Sequence, residues 1–77
     1  MAQPRSDVTK KALIEAAFVL FAEKGFAATS TREIASAAKT NIASIPYHFG
    51  SKAGLRMACA QTLIEHFTQI RNNPEAL

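Results

Sequence analysis

Seventy-seven residues suffice for one small helical core and exclude a second, because a chain of this size buries only roughly 60% of its unfolded surface. Apolar residues at 48%, charged residues at 19% and three each of Gly and Pro describe a globular chain, and the single cysteine, Cys59, excludes an internal disulfide and a cysteine-rich zinc site. The net charge is +3, and the longest apolar run, Ala16 to Ala22, falls far short of the ~20 residues that cross a bilayer, so a cytoplasmic protein with no membrane segment is expected.

Residues 1–6, MAQPRS, are polar, include a proline and read as a mobile arm. Asp7 can cap a first helix over 8–24, in which Leu13, Ala16, Ala17, Leu20 and Phe21 recur at helical spacing and Gly25 supplies the stop. Ile14, Phe18 and Ala22 form a second apolar line on that helix, which therefore needs partners on two sides. Ser30 followed by Glu33 is a capping-box pattern and predicts a second helix over 31–38, with Ile34, Ala35 and Ala38 on its apolar face. Asn41 reads as the N-cap of a third helix over 42–49, whose inward positions are Ile42, Ile45 and Phe49. Only Lys39 and Thr40 remain as linker, which forces an angular connection. Gly50 ends the third helix and Ser51 caps a fourth over 52–71, with a stripe of Leu55, Ala58, Cys59, Leu63, Phe67 and Ile70. Met57 and Ile64 lie off that stripe and imply a further apolar contact, and Asn72-Asn73-Pro74 opens a tail over 72–77. The expected fold is all-α: a three-helix, homeodomain-like helix-turn-helix head with a long fourth helix, as one domain over 7–71.

The positive charge is segregated. Residues 30–56 carry Arg32, Lys39, Lys52 and Arg56 against Glu33, whereas residues 12–29 and 57–77 are each net negative. A basic footprint on a helix-turn-helix is what neutralisation of backbone phosphates requires. A short third helix fits the major groove and would read bases near its start, so Ile42, Ala43, Ser44, Pro46, Tyr47 and His48 are the outward candidates. Ser44 can donate or accept at a base edge, Ala43 or Pro46 can meet a thymine methyl, and Tyr47 and His48 can reach a phosphate. Lys52 opens the fourth helix and adds its charge to the backbone N–H groups there; Thr31 and Arg32 do the same at the second.

Thr31-Arg32-Glu33-Ile34-Ala35 and Tyr47-His48-Phe49-Gly50-Ser51-Lys52, preceded by Leu20-Phe21-Ala22-Glu23-Lys24-Gly25-Phe26, resemble the DNA-binding head of TetR/AcrR-type transcriptional repressors over roughly residues 8–67. Asn41-Ile42-Ala43 and Phe49-Gly50-Ser51-Lys52 are similar to the CecR-like branch of that family. The resemblance places Thr31, Arg32, Ser44, Tyr47, His48 and Lys52 where the family contacts DNA. It implies a homodimeric, ligand-released repressor on a palindromic operator, with the dimerisation domain and its small-molecule effector site in a C-terminal part absent from these 77 residues. Three positions depart from the family pattern: Lys39 stands where Gly is usual, Pro46 replaces an aromatic, and Gly54 replaces an acidic residue. They predict a strained turn, a kink or a tight 3₁₀ first turn in the third helix, and a fourth helix that has lost its capping box and frays at its start.

A second reading stays open, a protein-interaction module using the apolar faces of the first and fourth helices without DNA. Catalysis is not expected: two histidines, six carboxylates and one cysteine show no nucleophile context or metal-ligand spacing, Glu65-His66 reads as an ordinary exposed pair, and no cofactor or metal is implied.

Overall fold

Four helices are set by glycine and hydroxyl boundaries in the computed structural model, which describes residues 5–72 and the side chains of 7–71. They are α1 (Arg5–Lys24), α2 (Thr31–Ala37), α3 (Ser44–Phe49) and α4 (Lys52–Asn72), with no strand among the described residues. α1 starts earlier than the spacing predicts. Asp7 lies inside its first turn, where a carboxylate still favours the positive end of the helix dipole, and does not precede the helix as a cap. Residues 1–4 of the expected arm and 73–77 of the expected tail lie outside the described residues. At the other end Gly25 takes φ 87° and its N–H still bonds Phe21 O at 2.9 Å, as a terminating glycine should.

The α1–α2 connection is pinned by a residue that the periodicity passes over. Thr29 is buried, and its hydroxyl sits 2.7 Å from Gly25 O and 3.2 Å from Leu20 O, sharing one proton between carbonyls at the end of α1. Thr29→Val keeps the shape and removes the proton, stranding those carbonyls. It is expected to cost about 1–3 kcal/mol. Denaturant melts would show this, and a change below about 0.5 kcal/mol would mean that the carbonyls find other donors.

Ser30 Oγ accepts from Glu33 N at 3.0 Å, and Glu33 Oε1 accepts from Ser30 N at 2.9 Å, so the predicted capping box forms in full. The other Glu33 oxygen takes Lys24 Nζ, joining the end of α1 to the start of α2. The Lys24 hydrogen bond, then the Ser30 N–H, hold the Glu33 carboxyl below the usual carboxylate range. A depressed carboxyl pKa stabilises the fold above the unfolded value of about 4.3, and that contribution disappears as pH falls through the lower folded value. Melting temperature should therefore drop as the solution is acidified below about pH 4, and Glu33→Gln should flatten that segment of the profile. An unchanged profile in the variant would assign the acid loss to other carboxylates.

One core joins all four helices: Leu13 and Ala17 from α1, Ile34 and Ala35 from α2, Ile45 from α3, and Leu55 and Cys59 from α4. Ile14, Ala16, Leu20, Phe21, Ala38 and Phe49 close around it. Burial raises the pKa of the Cys59 thiol, whose Sγ lies 3.6 Å from Ile14 O, so it behaves as a small apolar residue. The predicted α4 stripe is only half used. Residues 61–69 are all exposed, Leu63 and Phe67 among them, because α4 runs beyond α1 and α3, the helices it packs against. Phe18, Met57 and Ile64 are exposed as well, consistent with the predicted need for further apolar contact.

Candidate nucleic-acid interface

The turn between α2 and α3 carries the strain that its sequence forecasts. Lys39 has φ 59°, the left-handed region, which costs a residue with a Cβ about 1–2 kcal/mol. A Schellman motif holds it there: Thr40 N bonds Ala35 O at 3.0 Å and Lys39 N bonds Ser36 O at 3.1 Å. α2 accordingly stops at Ala37 with Ala38 as its C-cap, one residue short of the predicted end.

α3 is shorter than predicted, and Asn41 is not its N-cap. Asn41 Oδ1 accepts from Ala43 N at 2.8 Å in a local turn, Ala43 occupies the cap position without a side-chain bond, and the helix proper begins at Ser44. The first bonds span three residues, Ser44 N to Asn41 O at 2.9 Å and Ile45 N to Ile42 O at 3.2 Å. Pro46 explains this tightening. It has no N–H to give Ile42 O, and Ile45 supplies that bond instead; as the third residue of α3, Pro46 sits where helix N–H groups have no helical partner anyway. Ile42 is 41% exposed, so its predicted inward role fails while its outward one stands. Ile45 is the buried anchor of α3, with Phe49 half-buried beside it.

Outward, Ala43, Pro46 and Tyr47 are exposed, with Tyr47 82% accessible. The Tyr47 ring meets His48 edge-on at 4.8 Å, and half-buried His48 meets Phe49 at 6.2 Å. Ser44 is half-buried, with its Oγ 3.2 Å from Thr40 Oγ1. On α2, Arg32 is exposed and Thr31 half-buried.

Gly50, at φ 80°, turns the chain from α3 into α4, and its N–H bonds Pro46 O at 3.0 Å. Ser51 Oγ accepts from Gly54 N at 3.0 Å, so the serine cap of α4 forms and α4 starts at Lys52 as predicted, although a glycine cannot return the reciprocal bond. Lys52 stands over Phe26 with its Nζ 4.3 Å from the ring centroid, and Arg56 joins it with Cζ at 4.8 Å. Such contacts are worth about 0.5–1 kcal/mol each at exposed sites. Phe26 in turn packs on Phe21 at 5.3 Å. Sequence reasoning counted Arg56 in the basic footprint and Gly54 among the departures without placing either at the site, and it passed over Phe26 and Thr40 there. The four-residue spacing of Lys52 and Arg56 was the available signal for the second cation; nothing local marked the others. Among the described residues no group of His, Cys, Asp and Glu could hold a metal ion, and no helix is long and apolar enough to cross a membrane.

A short exposed helix set across a tight turn from its partner, with cations at the neighbouring helix start, defines a helix-turn-helix of the DNA-binding kind. Residues 13–59 match the model for bacterial regulatory proteins of the tetR family, and the chain belongs to that family. It is 51% identical over 61 residues to the HTH-type transcriptional dual regulator CecR of Shigella flexneri, a match covering 79% of this chain and 27% of that protein. It is also 53% identical over 47 residues to the probable HTH-type transcriptional regulator YttP of Bacillus subtilis (strain 168), covering 61% of this chain and 23% of that protein. The chain thus spans about a quarter of the length of these curated relatives.

Proposed function

We propose that the chain is the operator-reading head of a TetR-type transcriptional regulator, a binding role without a catalytic step. The observation that carries this reading is the outward face of α3, with Ala43, Pro46 and Tyr47 exposed around a single buried anchor and Lys52 at the start of α4 that follows it. In this reading α3 enters the major groove. Ser44 meets a base edge, Ile42, Ala43 and Pro46 contribute apolar contact, and Tyr47, His48, Thr31, Arg32 and Lys52 hold phosphates. The full-length regulator is a cytoplasmic homodimer on a palindromic operator, released by a small molecule bound outside these residues, and it acts as a repressor. That one relative is named a dual regulator makes activation the contrasting outcome of a reporter assay.

Fluorescence anisotropy of the 77-residue chain on labelled duplex DNA at stepped salt tests the reading. With Arg32 and Lys52 as the two cations on phosphates, binding should weaken at least about 12-fold between ~50 and ~200 mM salt. Binding that is absent, or indifferent to salt, would overturn it in favour of a protein-docking role for the exposed Phe18, Leu63 and Phe67.

A further inference from the structure

Lys52 and Arg56 break three electrostatic preferences at once. They lie four residues apart on one helix face, a like-charge pair that repels. Lys52 sits in the first turn of α4, where the helix dipole disfavours cations, with Arg56 one turn further on, and the first turn contains no acidic residue. Among the described residues, neither has a carboxylate within ion-pair distance; the Glu33 carboxylate is taken by Lys24. The two cations are nonetheless held on one aromatic ring, Phe26, with Nζ at 4.3 Å and Cζ at 4.8 Å from its centroid. Positive charge concentrated against local preference, held by an uncharged platform and lacking a counter-ion among the described residues, is suited to an anion from outside.

We propose that Arg56, held with Lys52 against Phe26, is a further contact to the phosphodiester backbone of double-stranded DNA. The inference rests on the operator-reading role and extends the phosphate surface one helical turn along α4 from Lys52. Phe26 is a positioning residue, which keeps two long side chains extended without neutralising them. Because the contact is to phosphate, Arg56 adds affinity on every sequence and no base preference.

The test compares the wild-type 77-residue chain with Arg56→Ala, Arg56→Lys and Phe26→Leu on two unrelated labelled duplexes at stepped salt. Arg56→Ala should reduce the slope of log K against log salt by about 0.9, and therefore weaken binding about eightfold at 0.1 M salt relative to wild type if the two coincide at 1 M. The loss should be equal on both duplexes. Arg56→Lys should restore the slope, whereas Phe26→Leu should keep the slope and weaken binding severalfold. An Arg56→Ala slope equal to wild type overturns the proposal while leaving the operator-reading role intact, and unchanged affinity in Phe26→Leu overturns the positioning role. Absence of salt-dependent binding by the wild type overturns both proposals. Matching circular-dichroism melts of all four chains establish that binding losses are not unfolding.

Discussion

Ile45→Ala is expected to destabilise the head by about 2–4 kcal/mol and to release α3 from its seat. α3 has six residues, too few to persist by its own hydrogen bonds, so its order is borrowed from tertiary packing. Ile45 is its one buried residue and lies among Leu13, Ala17, Ile34 and Leu55 in the core. Truncation removes that transfer energy and leaves a cavity that a short helix with Pro46 in its first turn can close only by moving. In a domain of this size each kcal/mol shifts Tm by about 4–8 °C, so the melt should fall by about 10 °C or more. Ile42→Ala, at a site 41% exposed, should cost about 1 kcal/mol or less. Urea denaturation separates the two, and equal losses would show that α3 is not anchored through Ile45.

Gly54→Ala is the second large effect, and its sign is diagnostic. Helix propensity alone favours alanine over glycine by about 1 kcal/mol inside a helix. The structure predicts the reverse: a Cβ on Gly54 would fall 2.0 Å from Phe49 O and 3.1 Å from Phe49 C. Backbone cannot swing aside as a flexible side chain can, so the end of α3 and the start of α4 must part. The expected cost is about 1–3 kcal/mol, with amide shifts concentrated at Phe49, Gly50 and Ser51. A more stable Gly54→Ala protein would show that this close approach is not maintained. The residue read as a missing carboxylate partner for Ser51 thus has a different role, allowing the carbonyl of α3 to seat against α4.

What the sequence disclosed was local chemistry and helical period. Ser30 and Glu33 announced their capping box because both partners lie within four residues, whereas the strain at Lys39 was legible only through the family resemblance, which expects glycine there. The apolar spacing found Leu13, Ala17, Ile34, Ile45 and Leu55. It misplaced the start of α3, because Asn41 offers the same side-chain oxygen to a cap or to a turn and only the packing of Ile45 beside Pro46 decides between them. Apolar period also marked Leu63 and Phe67 without revealing that α4 outruns its partners. Of the candidate interface, Ile42, Ala43, Pro46 and Tyr47 are outward and Ser44, His48 and Lys52 half-buried. The Phe26 platform joins residues 26 and 30 positions apart, and the Gly54 approach depends on an interhelical angle; neither leaves a periodic trace.

That α3 reads base sequence while Lys52 grips the backbone is tested most directly by selecting duplexes from a randomised library at low salt with the wild-type chain, Ser44→Ala and Lys52→Ala in parallel. Wild type should enrich one short half-site, Ser44→Ala should change the preference at a single base pair, and Lys52→Ala should weaken all sequences alike. No enriched sequence, or the same uniform loss from both variants, would contradict it.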